Sequence, residues 1–334
     1  EDGIRDHLLG LVGSEMCIRD SSSGLKTMTK RYFDLNTYFR EQFGHRVHKL
    51  TVDAGLTCPN RDGTLSTTGC IYCNAQGSGT GAFAKGLSIR EQLEQSKIPV
   101  ARRFKARKFI AYFQSFTNTY APIETLASRY DDALSVEDVI GLAIGTRPDC
   151  AENTVLDLLA SYARRYLVWV EYGLQSACDQ TLRRINRGHD VACFTDALKR
   201  THQRGLPVCA HVILGLPGET RRDMLSTARF LADLGIDGVK LHLLYVIRGT
   251  PLEALHRQGR FHCLEQEEYA GLVCDFIERL PPQTVIQRVT GDPHPQELVA
   301  PAWALQKRET YDWIQRIFEQ RDSRQGQHYS PRHG

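Results

Sequence analysis

From residue 47 onward, short runs of β-branched and aromatic residues alternate with stretches whose apolar positions recur at helical spacing. Strands are predicted over 47–53, 108–114, 139–146, 167–174, 207–214 and 238–246. Helices are predicted between them over 88–97, 152–164, 191–204 and 219–234. Ser88 and Glu91 open the first of these in the S-x-x-E spacing of a capping box. Gly235 follows the last, as a C-terminal cap requires. Repeated βα units predict an α/β fold with a parallel sheet and right-handed crossovers, open or curled into a partial barrel. After Pro251 the alternation stops. A helix over 266–279, a strand over 284–289 and a helix over 302–320 predict a C-terminal extension. The division expected is therefore a core over 28–250, an extension over 251–320 and a polar, frayed tail over 321–334.

Alternation within the strands is sharper still, because successive side chains point to opposite faces. In the fourth strand Val168, Val170 and Tyr172 share one face, while Glu171, Gly173 and Gln175 share the other. The fifth strand sets Val208, Ala210 and Val212 against Cys209, His211 and Ile213. The sixth sets Val239, Leu241 and Leu243 against Lys240 and His242. Faces covered by helices are apolar in a parallel sheet. The polar faces are expected to look into a lumen that holds a ligand or satisfies its own polar groups.

Composition narrows the class only a little. The 334 residues are 41% hydrophobic and 24% charged, with a net charge of +3, which neither demands nor excludes a nucleic-acid partner. No apolar run approaches the ~18 residues that would cross a bilayer. Ten unevenly spaced cysteines suit a reducing compartment better than a disulfide framework, and a cytoplasmic location is expected. Residues 11–20, LVGSEMCIRD, resemble the in-frame translation of a sequencing adapter. Residues 1–27 are therefore expected to be a non-native leader without function, Cys17 included.

The loop after the first strand carries Cys58, Cys70 and Cys73 in the spacing C-x₁₁-C-x₂-C. Loops at the C-terminal ends of barrel strands are where active sites gather. Thiolates bind iron–sulfur clusters, and a cubane takes four. Three clustered thiolates would leave one iron open to a small molecule. A zinc staple in a non-catalytic binding module is the competing reading, and it needs a fourth ligand such as His45 or His48. Cys150, Cys178, Cys193, Cys209, Cys263 and Cys274 show no paired ligand spacing, so no second cluster is expected.

Around these cysteines the chain resembles the radical S-adenosylmethionine (SAM) superfamily, and most a bacterial family related to the radical domain of the Elongator catalytic subunit. The resemblance rests on HKLTVDAGLTCPNRDG, GCIYCN, IGTRPDC, VEYGLQSACDQTLRRINRGHD, HVILGLPGE and KLHLLYVIRGTPL, in that order. It implies a partial (β/α)₆ barrel with a [4Fe–4S] cluster on Cys58, Cys70 and Cys73. It further implies that SAM chelates the open iron and is cleaved reductively to a 5′-deoxyadenosyl radical. Tyr72 would then lie against the adenine, and Glu171 and Gln175 against the ribose or methionine part. Arg187 would pair the SAM carboxylate, His211 would touch the ribose, and Gly215 would let the backbone approach the adenine. No residue is assigned as a catalytic acid or base. Many members carry Gly-Gly-Glu after the second strand where this chain has Tyr112-Phe113-Gln114-Ser115, which leaves the partner of the SAM amino group open. Implied partners are an electron donor of flavodoxin or ferredoxin type and, as substrate, a tRNA base. A small-molecule substrate is the alternative. Two basic runs could track phosphates: Arg102, Arg103, Lys105, Arg107 and Lys108, and then Arg183, Arg184 and Arg187.

Overall fold

The computed structural model describes residues 30–331 apart from 75, 76 and 78–81, so the expected leader over 1–27 lies outside the described residues. Seven strands form one parallel sheet: β1 (Val47–Val52), β2 (Lys108–Phe113), β3 (Val139–Thr146), β4 (Leu167–Gln175), β5 (Val208–Leu214), β6 (Gly238–Leu243) and β8 (Val285–Arg288). The order β1-β2-β3-β4-β5-β6-β8 follows the chain, with parallel register at every step. A short antiparallel pair, β7 (Val246–Ile247) and β9 (Leu298–Ala300), stands apart. It interrupts the alternation after β6, which is why the sequence read the last strand as part of a separate extension. That strand is the seventh of the main sheet.

Side-chain contacts show how far the sheet curls. Lys49 on β1 and Gln287 on β8 belong to the two edge strands, yet Lys49 Nζ donates to Gln287 Oε1 at 2.5 Å. Two edges can meet in this way only if the sheet wraps into a half-barrel. The chain just before the first helix, Leu35–Phe43, adds a parallel bridge between Asp34 and Ile286.

The outer face obeys the predicted parity. Leu50, Phe113, Ile144, Val170, Ala210 and Leu241 join one apolar core with Leu93, Tyr130, Leu159, Phe194 and Leu231 from the covering helices. Inside, Ile110, Ala143, Trp169, Cys209 and Val285 pack with Leu35 and Phe39, so the first helix plugs the N-terminal end of the lumen. Polar lumen residues are thereby left to the C-terminal end.

Two segments depart from expectation. The helix Ile89–Phe104 runs through Pro99, whereas the predicted one stops at residue 97. An internal proline costs about 3 kcal/mol, but Val100 and Phe104 carry the buried stripe onward from Leu93 and Ser96 and offset it. The tail expected to fray is mostly exposed over its described length but is anchored at Ser323 and Gln325. Gln325 is buried; its Oε1 accepts from Phe33 N, and its Nε2 donates to the carbonyls of Pro281 and Thr284. Among the described residues no helix is long and apolar enough to cross a membrane.

Candidate active site

The loop after β1 folds over the C-terminal mouth of the half-barrel and is pinned by its own polar residues. The carbonyl of Cys58 accepts from the backbone N–H groups of Arg61 and Asp62, and that of Cys70 from Cys73. Asn60 Nδ2 donates to the carbonyl of Asn186 at 2.7 Å, and Asn186 Nδ2 returns a bond to the carbonyl of Gly69 at 2.7 Å. Arg61 Nη2 holds the carbonyl of Cys73 at 2.6 Å. Leu252 N donates to the carbonyl of Ile71 at 2.9 Å, tying the loop to the segment after β7.

A cavity of about 220 Å³ opens beneath this loop. Cys58, Cys70 and Cys73 line it together with Tyr72, Glu171, Gln175, Arg187 and His211. Gly215, the remaining residue expected there, is not among the lining residues. It takes a positive φ of +87° at the end of β5, and a Cβ there would meet Leu264 at 3.0 Å. Its freedom serves the strand-to-helix turn.

Glu171 is fully buried, and both its oxygens are taken. Oε1 accepts from Lys49 Nζ at 2.7 Å; Oε2 accepts from Lys240 Nζ at 2.6 Å and meets His211 Nε2 at 2.8 Å. Burial alone would raise its pKa, but Lys240 and Lys49 outweigh it and hold the carboxyl well below the usual range. Burial pushes His211 down to about 4 despite Glu171, so its imidazole is neutral at pH 7. Lys240 also lies over the Tyr112 ring, 3.9 Å from the centroid. The residues expected at the SAM ribose thus form the floor of the cavity as a closed ionic network.

Arg187 is buried and equally committed. Nε and Nη2 donate to the carbonyl of Gly173 at 3.1 and 2.7 Å, and Nη1 points at Cys70 Sγ from 3.7 Å. Glycine is needed at 173, since a Cβ there would stand 2.5 Å from Nη2. Arg147, from the TRPDC segment, was not singled out by sequence. Its Nε and Nη2 grip Asp149 at 2.8 and 2.7 Å, while its buried Nη1 lines the cavity side without a hydrogen-bond partner. Gln175 Oε1, Thr117 Oγ1 and His242 Nε2, all from residues lining the same cavity, are likewise buried without a hydrogen-bond partner. Native proteins pair nearly all such atoms, so a concentration of them marks where a polar ligand belongs. These polar atoms fit a cofactor with the amino, carboxylate and ribose groups of SAM beside three thiols.

The zinc reading loses its fourth ligand. His48 stacks on Phe104 at 4.2 Å between ring centroids, and His45 precedes β1, so both stand at the end of the strand remote from the cysteine loop. A closed zinc site takes four ligands, and neither histidine can supply the fourth from there. The first basic run lies at that same remote end, spanning the close of Ile89–Phe104 and the start of β2.

Residues 58–231 match the Radical SAM superfamily, and residues 236–320 match the Radical_SAM C-terminal domain. The chain belongs to the radical SAM superfamily. It is 41% identical to the Bacillus subtilis protein YtqA over 300 residues, covering 90% of this chain and 93% of that protein. Human Elongator complex protein 3 is 32% identical over 162 residues, covering 47% of this chain but 29% of that protein. In fold, the radical SAM chain is similar to the archaeal Methanocaldococcus infernus Elp3 with a TM-score of 0.64 at 19% identity. That likeness covers 84% of this chain and 64% of the other.

Proposed function

We propose that this radical SAM enzyme holds a [4Fe–4S] cluster on Cys58, Cys70 and Cys73, and that its substrate is a base of tRNA. The observation that carries the cofactor reading is the convergence of three cysteines and several unpartnered buried polar atoms on one cavity. The chemistry that a bound cluster and SAM supply is reductive cleavage of SAM to methionine and a 5′-deoxyadenosyl radical, fed by a flavodoxin- or ferredoxin-type donor. The chain's own part is position and exclusion. Tyr72 packs partly buried against an apolar cluster that includes Ile213 and Leu244, and all three line the cavity, a surface suited to an adenine edge. Gln175, Thr117 and Arg147 offer the free polar atoms for the methionine and ribose parts of SAM. Glu171 serves as the charged floor beneath them, with neutral His211 against its Oε2 and Lys49 and Lys240 keeping the carboxylate ionised.

Support for tRNA is the resemblance to the Elongator catalytic subunit, carried by TRPD and INRGHD. The run from Arg102 to Lys108 lends none, because it sits at the far end from the cavity. The test is nucleoside mass spectrometry of tRNA from cells with and without the gene, paired with tRNA binding at several salt concentrations. A modified nucleoside lost with the gene and saturable low-salt binding are expected. Reversing Arg102, Arg103 and Lys105 should leave that binding unchanged. An identical nucleoside profile together with no saturable binding would move the reading to a small molecule.

A further inference from the structure

Among the cluster cysteines, Cys70 is the most deeply buried, and two N–H donors aim at its sulfur. Asn60 Nδ2 stands 3.6 Å from Cys70 Sγ and Arg187 Nη1 stands 3.7 Å from it. Neither donor is free to wander. Asn60 Nδ2 is also bonded to the carbonyl of Asn186, and Arg187 is clamped through two nitrogens on the carbonyl of Gly173. The clamp exists only because residue 173 lacks a Cβ. A guanidinium fixed in this way cannot swing out to a carboxylate in the cavity without giving up its backbone partner. Two of its N–H groups are used on that carbonyl, and Nη1 turns a third toward the thiol.

Hydrogen bonds to ligating sulfurs are one of the levers that set iron–sulfur potentials. Reduction adds negative charge to the cluster and its thiolates. Donors already aimed at a sulfur therefore favour the reduced state over the oxidised one, and a buried positive charge adds to the effect. We propose that Arg187 and Asn60 are redox-tuning residues, whose N–H groups on Cys70 Sγ raise the reduction potential of the bound [4Fe–4S] cluster. This rests on the cluster assignment above and gives Arg187 a role other than pairing the SAM carboxylate. Both act through Cys70 and are positioning residues.

The test is a redox titration of the anaerobically reconstituted full chain, without SAM, following the reduced cluster by electron paramagnetic resonance. Arg187→Met and Asn60→Ala should both move the midpoint to more negative potential, Arg187→Met the further. At a fixed solution potential the reduced-to-oxidised ratio in Arg187→Met should fall about tenfold, which is ~59 mV for a one-electron couple. Arg187→Lys keeps the charge but not the two-point grip, and should fall between wild type and Arg187→Met. The exposed Arg183→Met removes an equal charge from the neighbouring helix and should not move the midpoint. Midpoints equal to wild type in Arg187→Met and Asn60→Ala, at full iron content, would overturn the tuning role while leaving the cluster assignment intact. If Arg187→Met fails to keep its iron, Asn60→Ala decides alone. A wild-type protein that takes up no iron and sulfide would sink the cluster assignment itself, and the tuning role with it.

Discussion

Glu171→Gln is the substitution whose outcome the structure constrains most tightly. The carboxylate is fully buried and accepts from Lys49, Lys240 and His211 within 2.6–2.8 Å. An amide of the same shape keeps one acceptor oxygen but turns an NH₂ toward an ammonium, donor against donor. It also leaves two lysines, 3% and 2% exposed, with no counter-charge between them. Breaking a buried ion pair from one side costs about 3–5 kcal/mol. In a chain of this size each kcal/mol moves the melting temperature by about 2 °C, so a drop of roughly 6–10 °C is expected. Urea unfolding at pH 7.5, followed by circular dichroism, measures the loss directly. Adding Lys240→Met should recover part of it, because the surplus charge leaves with the lysine. A loss under about 1 kcal/mol, with SAM binding weakened instead, would refute the closed network and return Glu171 to a direct cofactor contact.

Three further outcomes follow from other parts of the fold. His211, held at about 4 against an ordinary 6.5, stays neutral in the folded chain while the unfolded chain takes up a proton. Stability should fall by roughly 3 kcal/mol as pH drops from 6.5 to 4, and His211→Gln should flatten that slope in acid titrations. Glu171, whose carboxyl the two lysines hold low, adds a loss of its own that begins as the pH falls through the ordinary carboxylate range and continues below it. Gln325→Ala removes one accepted and two donated bonds and should cost about 2–4 kcal/mol in urea unfolding. Arg147→Met should weaken SAM binding about 10- to 100-fold by equilibrium dialysis with iron retained, since one charge-assisted bond is worth ~1.5–3 kcal/mol. Because the unpartnered Nη1 would meet the methionine carboxylate, the same variant should bind decarboxylated SAM as wild type does.

Strand parity made much of the lumen legible. Glu171, His211, Lys240 and His242 were placed inward by counting alone, because successive side chains of a β-strand alternate between its faces. The three cysteines declared themselves by spacing. What counting could not reach was who pairs with whom. That Lys49 meets Gln287 depends on the curl of seven strands, and no local pattern encodes it. Arg187 reads in sequence as a cation free to bind an anion, and only the carbonyl of Gly173 shows that it is occupied. Arg147 stood inside a motif already noticed, yet its free edge emerges only once Asp149 is seen to take the other. The helix beyond Pro99 and the anchoring of the tail were missed for one reason. Local signals of helix ending and of polarity were overridden by burial at Val100 and Phe104 in one case and at Gln325 in the other.

The hydrogen bonds of Gln325 have a topological consequence. Phe33, near one end of the described chain, and residue 325, near the other, are stitched together, and Arg31 pairs with Asp322 at 2.8 Å alongside them. Both sit beside the N-terminal ends of the strands, a strand's length of about 20 Å from the cysteine loop. A short peptide could join the two ends, and the chain could be reopened at an exposed helix–strand turn without disturbing the order of strands around the lumen. A module joined directly before Arg31 or directly after Gln325 would start from the plugged base, on the far side of the half-barrel from its mouth.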